Sequence, residues 1–301
     1  DRAMAETPPS PADQVGEDAP AKINLALAVT GKRADGYHLL ESLAVFTRFG
    51  DRIQAADAVE DSVVVDGPHA AALKDDDVSD NLVTRARDRL RAHLKQSGRK
   101  APPVALRLEK NLPVASGIGG GSADAAATLR LLIRFWNADV SEQDLRILAL
   151  SLGADVPMCL ESKALMARGI GEEIEPVEDM ATLPMVLVNP GVAVSTPSVF
   201  KALTSPDNPP LPALPATRDI SGMAKWIMAA RKDLVEPALS LSPQIGTCLE
   251  AIRSSGALVH AMSGSGATCF GIYESRDKAE RAAMQISKEW PGWFVTATET
   301  V

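Results

Sequence analysis

The chain has 301 residues, of which 46% are hydrophobic and 23% charged, so it can bury the core of a globular protein. Its formal net charge of −8 argues against nucleic acid or an anionic membrane as the main partner. The three cysteines are widely spaced and form no Cys-x-x-Cys pair, which argues against a disulfide framework or structural zinc and favours the cytoplasm.

The N-terminal segment is polar, acidic and proline-rich, which predicts a disordered tail over residues 1–19 and resembles no signal peptide. No apolar run approaches the roughly 18 residues of a membrane span. The runs "AKINLALAV" and "LLESLAVF" are typical of β-strands, and "TGKRADGYH" forms the loop between them. Further short strands are predicted at 52–55, 62–65 and 104–108.

Three helices are predicted in the first half of the chain. We expect Asp80 to be the N-cap of the first, whose apolar residues share one face and which Gly98 closes in the C′ position. The second is expected to begin near Ser122. The third is expected at Ser141, where a cap residue precedes acidic first-turn residues.

The second half starts with the strand "MVLVNPGV", followed by residues 205–215, which carry five prolines and predict an irregular loop. Two helical stretches, the segment "ALVHAMSGSGATCFGIY", a helix over 276–290 and the strand "WFVTATET" complete the chain. This order predicts an α+β fold of two domains, 20–181 and 182–301.

The segment "LPVASGIGGGSADAAATLRLL" places a glycine cluster between a strand and a helix. Glycines let the backbone approach an anion closely, and a helix start adds free N–H groups and partial positive charge. Ser122 can cap the helix, and Lys110 can supply a full charge. An empty turn explains the glycines about equally well, and neither the P-loop nor the dinucleotide-binding pattern fits their spacing.

A second glycine segment, "MSGSGATCF", lies between two apolar runs in the C-terminal half. Alone it predicts a tight β-hairpin. Together with the first loop it indicates a cleft whose two walls offer backbone N–H groups to a charged ligand.

The motifs "PAKINLALAVTGKRADGYH", "LPVASGIGGGSADAAA" and "MSGSGATCF", in this order, resemble those of the GHMP kinase superfamily. The first of them, with "DNLV", "LGADVP" and "STPSVF", most closely resembles the 4-diphosphocytidyl-2-C-methyl-D-erythritol kinase family, from about Pro20 to the C-terminus. The resemblance implies an ATP-binding N-terminal half like domain 2 of ribosomal protein S5 and a ferredoxin-like C-terminal substrate domain. It also implies transfer of the γ-phosphoryl group of ATP to the C2 hydroxyl of the erythritol, a step of non-mevalonate isoprenoid precursor synthesis.

The resemblance assigns two catalytic residues. Asp155 is the expected general base, and Lys22 is expected to pair with it and to offset charge in the transition state. From spacing alone, a turn aspartate and an edge lysine would be the ordinary interpretations. The expected acceptor-site residues are Asn24, Tyr37, His38, Thr196 and Phe200. A cytosine base is planar and has a specific hydrogen-bonding edge, so Tyr37 and Phe200 can stack on it and His38 can read its edge.

ATP is expected along the first glycine loop, with Asn81 near the adenine, Lys110 supplying charge, and Mg²⁺ accompanying the phosphates without a protein ligand marked by the sequence. The loop residues are Pro113, Val114, Ala115, Ser116, Gly117, Ile118, Gly119, Gly120, Gly121, Ser122 and Ala123. Two departures from the family pattern are Ala123, in place of a second serine, and "KDLV" at 232–235, in place of Asn-Asp-Leu-Glu.

Two other interpretations stay open at this point. The chain can be another small-molecule kinase of the superfamily, of the homoserine or mevalonate type, which would not need the Tyr37–His38 pair. It can also be an inactive nucleotide-binding relative, although the presence of both Lys22 and Asp155 argues against this. The sequence does not specify an oligomeric state.

Overall fold

The computed structural model describes residues 15–73 and 81–301 and shows an α+β fold with two β-sheets. The first sheet has the order β3-β4-β2-β5-β6, with β1 paired to β2; only β3 and β4 run parallel. Its strands are β1 (Val15–Lys32), β2 (His38–Asp57), β3 (Ser62–Asp66), β4 (Val104–Glu109), β5 (Leu165–Arg168) and β6 (Glu173–Pro176).

The second sheet is antiparallel, with the order β10-β7-β9-β8. Its strands are β7 (Pro184–Asn189), β8 (Val259–Met262), β9 (Cys269–Ile272) and β10 (Phe294–Glu299). The first sheet ends at Pro176 and the second begins at Pro184. We therefore keep the domain boundary near residue 181 as a proposal.

The first half contains the helices α1 (Leu82–Gln96), α2 (Gly120–Phe135), α3 (Glu142–Leu152) and α4 (Val156–Glu161). The second half contains α5 (Thr196–Ala202), α6 (Ile220–Ala229), α7 (Val235–Leu241), α8 (Gln244–Ser254) and α9 (Arg276–Glu289). Among these helices of the described residues, none is long and apolar enough to cross a membrane.

Two predicted caps, Ser141 and Gly98, and the glycine hairpin agree with the structure, whereas Ser122 does not cap α2, because that helix begins at Gly120 with Gly119 as its N-cap. The side chain of Ser141 accepts the N–H of Asp144, and Gly98 follows α1 with a φ of 70°. Residues 205–215 contain no helix or strand, and β8 and β9 form a hairpin around the second glycine segment.

Three expectations about element boundaries need correction. Residues 15–19 belong to β1 and not to the tail, because Ala19 is buried and the carboxylate of Glu17 pairs with two arginines of α2. The strands expected at 39–46 and 52–55 are one continuous strand, β2. Asp80 lies outside the described residues; the observed N-cap of α1 is Asn81, whose Oδ1 accepts the N–H of Val83 at 2.8 Å.

The hydrophobic core continues from one sheet to the other. Helices α1 and α2 pack on the first sheet around residues such as Leu90 and Leu106. A second cluster combines Ile23 and Leu43 of the first sheet with Phe270 of the second and with α6. Because β1 contributes to the shared cluster, residues at its buried face lie between the two halves of the molecule.

Candidate active site

The first glycine loop is fixed to its surroundings through its carbonyl groups. The carbonyl of Ser116 accepts the N–H of Thr268 at 3.0 Å, that of Gly117 accepts the hydroxyl of Ser263 at 3.0 Å, and that of Ile118 accepts the N–H of Lys22 at 2.9 Å. Gly117 and Gly119 have φ angles of 76° and 62°. Such left-handed backbone favours glycine and turns successive peptide groups in the loop.

The loop's N–H groups, by contrast, are free. None of the N–H groups from Val114 to Ser122 has an acceptor within the part of the chain that the structure describes. The N-cap of α2, Gly119, offers no side chain to the first turn, so Ala123 is the first to donate, to the carbonyl of Gly119 at 2.8 Å. Free N–H groups at the start of a 16-residue helix form an anion-binding nest.

The second glycine loop packs directly on the first. A Cβ atom at Gly117 would lie 2.5 Å from the carbonyl oxygen of Ser263 and 2.8 Å from the nitrogen of Gly266. The hydroxyl of Ser263 also accepts the N–H of Asn24 at 3.0 Å. The expected cleft with two separate walls is therefore wrong at this point, because the loops are hydrogen-bonded to each other and form one support.

Lys22 and Asp155 meet beside this support. The ammonium of Lys22, whose side chain is only 7% exposed, donates to Asn24 Oδ1 at 2.8 Å and to Asp155 Oδ2 at 3.4 Å. The side chain of Asp155 is 41% exposed, and it stands at the N-cap of α4 without capping the helix. The pair combines a buried cation with a carboxylate that remains open to an acceptor hydroxyl.

Lys110 was expected to supply a free charge to a phosphate, but its ammonium lies between two buried carboxylates. It donates to Asp51 Oδ2 at 2.5 Å and to Asp124 Oδ2 at 2.8 Å. Burial alone would lower the pKa of Lys110, but attraction to Asp124 and Asp51 raises it overall. Burial raises the pKa of Asp124 well above its usual range, Lys110 opposing this and Asp51 adding to it. The lysine's charge is thus balanced within the protein.

Asp51 also ties this cluster to the start of the loop. Its Oδ1 accepts the N–H groups of Asn111 at 2.7 Å and Leu112 at 2.8 Å. The cluster therefore joins the end of β4, the middle of β2 and the first turns of α2. The position of Asp124 near a helix start was a weak signal for its role, and no local pattern indicated Asp51.

A cavity of about 180 Å³ opens between the glycine loop and the start of α1. Asn81 lines it, although the side-chain oxygen of this residue is used in capping α1. The lining residues are Leu73, Asn81, Leu82, Lys110, Pro113, Val114, Ala115, Gly120, Gly121 and Asp124. Asn81, Lys110 and five of the expected loop residues thus share one cavity. Asp124 also lines it, and the buried Oδ1 atom of this residue has no partner among the described residues.

The expected acceptor residues, except Tyr37, form a line from the Lys22–Asp155 pair through the second glycine loop and α5. Its steps are hydrogen bonds and one ring stack, joined by short chain segments. Asn24 contacts Lys22 and Ser263, and the hydroxyl of Thr196 bonds to that of Ser265 at 2.7 Å. Phe200, on the same helix as Thr196, stacks on His38 with ring centroids 4.7 Å apart. Burial, and to a smaller extent Lys32, lower the pKa of His38, which favours the neutral imidazole.

Tyr37 stands apart from this line. Its side chain is exposed, and the guanidinium of Arg33 lies 5.9 Å from its ring centroid. Phe200 therefore stacks on His38, the expected edge reader. The expected stacking of Tyr37 on a cytosine base stays a prediction. Ser263 and Ser265, which connect the glycine loop to the acceptor residues, were missed, although hydroxyl groups in the "MSGSGATCF" motif were a visible signal.

Within residues 15–73 and 81–301, no three histidine, cysteine, aspartate or glutamate side chains are grouped as metal ligands.

Two family models match the chain: "GHMP kinases N terminal domain" at residues 81–163 and "GHMP kinases C terminal" at 211–292. The 4-diphosphocytidyl-2-C-methyl-D-erythritol kinase of Agrobacterium fabrum is 54% identical over 294 residues, covering 97% of this chain and 98% of the relative. The enzyme of the same name from Rhizobium meliloti is 55% identical, covering 94% of each chain.

Solved structures agree. A crystal structure of 4-(cytidine 5′-diphospho)-2C-methyl-D-erythritol kinase matches with a TM-score of 0.76 and 32% identity, covering 95% of this chain and 99% of that one. Homoserine kinase from Cytophaga hutchinsonii shares the fold, with a TM-score of 0.70, 18% identity and coverage of 98% and 97%. With the free N–H groups of the glycine loop and the Lys22–Asp155 pair, these similarities show that the chain belongs to the 4-diphosphocytidyl-2-C-methyl-D-erythritol kinase family of the GHMP kinases.

Proposed function

We propose that this protein transfers the γ-phosphoryl group of ATP to the C2 hydroxyl of 4-diphosphocytidyl-2-C-methyl-D-erythritol, giving the 2-phosphate and ADP for isoprenoid precursor synthesis. The observation that carries this proposal is the contact line from the Lys22–Asp155 pair to the His38–Phe200 stack. The Lys22–Asp155 pair suits the reacting hydroxyl, and the His38–Phe200 stack suits the planar cytosine of the acceptor.

Phosphoryl transfer needs positioning and charge stabilisation more than covalent chemistry. In the proposed reaction, Asp155 accepts the proton of the acceptor hydroxyl and Lys22 stabilises charge beside it. The free N–H groups of the glycine loop hold the phosphates, and the cavity bordered by Asn81 holds the rest of the nucleotide. Magnesium bound with ATP would neutralise phosphate charge, held mostly through phosphate oxygens and water.

A coupled ADP-release assay with several acceptors tests the proposal. We expect rapid turnover of the cytidyl substrate and negligible turnover of methylerythritol 4-phosphate, because binding energy from the remote base positions the reacting hydroxyl. The uridine analogue should react poorly, since its reversed donor and acceptor would leave buried groups unpaired. Efficient phosphorylation of homoserine, mevalonate or the truncated acceptor would refute the proposal.

The same assay tests whether His38 recognises the cytosine of the acceptor. His38→Ala should narrow the preference for the cytidine over the uridine acceptor, because His38 is the polar ring of the stack. Tyr37→Phe is the matched control, since the Tyr37 side chain is exposed and should leave the preference unchanged. An unchanged preference in His38→Ala would remove His38 from this role.

A further inference from the structure

Helix α4, whose N-cap is the expected general base Asp155, is too short to be stable without its neighbours. Helix α4 has six residues, and its N-cap, Asp155, makes no side-chain cap bond. Isolated helices of this length are unstable in water, so the place of α4 depends on its neighbours. It packs on α2, and the carbonyl groups of its C-terminal end accept hydrogen bonds from Arg130.

Arg130 lies on α2 and binds the C-terminal end of α4. Its Nη1 donates to the carbonyl of Cys159 at 2.8 Å and to that of Leu160 at 3.4 Å. The N–H of Cys159 in turn donates to the carbonyl of Asp155 at 3.3 Å. Cys159 thus connects the guanidinium of Arg130 to the backbone of Asp155 through two hydrogen bonds. A cation beside the last carbonyl groups of a helix is also electrostatically favourable.

The N-terminal part of β1 fixes Arg130 from the other side. Its Nε donates to Glu17 Oε1 at 2.9 Å, and its Nη2 donates to the carbonyl of Asp18 at 3.1 Å. The side chains of Arg130 and Glu17 are only 22% and 19% exposed. Because a guanidinium is planar and presents its donors in a fixed fork, these bonds define its orientation.

We propose that Arg130, oriented by Glu17, is a positioning residue for the phosphoryl transfer: it fixes α4 so that the carboxylate of Asp155 stays opposite Lys22. The role of Asp155 in this proposal rests on the proposed function. Displacement of a catalytic group by about 1 Å can cost about 100-fold in rate, so loss of a remote support should appear in turnover.

Arg134 provides a matched control. It pairs with the other carboxylate oxygen of Glu17 and donates to the carbonyl of Gly16 but, among the described residues, to no atom of α4. We expect Arg130→Ala to lower kcat about 10- to 100-fold while KM for ATP and for the acceptor changes less than about twofold. Arg130→Lys should recover part of kcat, and Arg134→Ala should stay within about twofold of the parent.

Amide hydrogen exchange gives a readout that needs no acceptor. Amides of 156–162 should exchange faster in Arg130→Ala than in the parent and in Arg134→Ala, with the β2 amides unchanged. Equal kcat in Arg130→Ala and Arg134→Ala, or unchanged exchange in α4, would overturn the proposal. If Arg130→Ala does not fold, the same comparisons apply to Arg130→Lys. Failure of the parent to phosphorylate the cytidyl acceptor would refute the proposed function separately, since the exchange experiment still tests the support of α4.

Discussion

At the scale of single residues, Asp155 differs from the other polar N-caps. Asn81, Ser141, Ser195, Asp219 and Ser275 each accept a backbone N–H of their own helix. The carboxylate of Asp155 makes no such bond and faces the buried ammonium of Lys22. A cap bond stabilises a helix by about 1 kcal/mol. Without it, Oδ2 lies 3.4 Å from the Lys22 ammonium and the side chain stays 41% exposed, which suits the proposed proton acceptor.

Asp155→Asn should therefore remove the chemical step without harming the fold. We expect kcat to fall about 10²- to 10⁴-fold, because the amide cannot take the hydroxyl proton, while ATP affinity and the circular dichroism spectrum stay unchanged. Asp219→Asn is the control, since asparagine also caps helices well. A kcat within a few-fold of the parent in Asp155→Asn would show that another group is the base.

At the scale of elements, local sequence patterns predicted features formed by neighbouring residues, whereas they did not predict contacts between distant segments. The capping of α3, the end of α1 and the hairpin of β8 and β9 depend on neighbouring residues, and all three were predicted. The continuity of β2 was missed because "TRFGD" contains glycine and aspartate, which are depleted in strands, although in the structure it lies within the strand. The carboxylate partners of Lys110 are 59 and 14 residues away, and no local pattern indicates such contacts.

The contact between the two glycine loops gives a prediction at this scale. Gly117→Ala should weaken ATP binding by about tenfold or more, because the new Cβ would lie 2.5 Å from the Ser263 carbonyl oxygen and push the loops apart. Alanine at a φ of 76° also costs about 1–2 kcal/mol. Gly256→Ala is the control for this backbone cost alone, since its φ is 87° and no atom lies within 4 Å of the added Cβ.

ATP titration by calorimetry and urea unfolding should be measured for both glycine variants. Both should lose stability, but only Gly117→Ala should lose ATP affinity. If a folded Gly117→Ala bound ATP as tightly as the parent, the loop contact would have no part in nucleotide binding.

At the scale of the whole molecule, the two halves share a core. Ile23 of β1 and Phe270 of β9 are fully buried in one cluster that includes residues of both sheets. At the C-terminus, the N–H of Val301 donates to the carbonyl of Phe46 at 3.0 Å, and Thr300 pairs with Thr47. The Lys22–Asp155 pair lies in the first half and Phe200 in the second, so the line of expected acceptor residues runs between the two halves.

The shared core predicts that the halves unfold together. Leu90 is fully buried in the separate core of the first half, and Leu90→Ala should cost about 2–5 kcal/mol. In a Trp136→Phe background, the remaining tryptophans, Trp226, Trp290 and Trp293, all report on the second half. Their fluorescence midpoint in urea should nevertheless fall in Leu90→Ala, and by as much as the midpoint from circular dichroism. Leu241→Ala, at an exposed position in the second half, should shift neither midpoint. A biphasic circular dichroism curve with an unmoved fluorescence midpoint would mean that the halves unfold independently and that the core they share does not couple them.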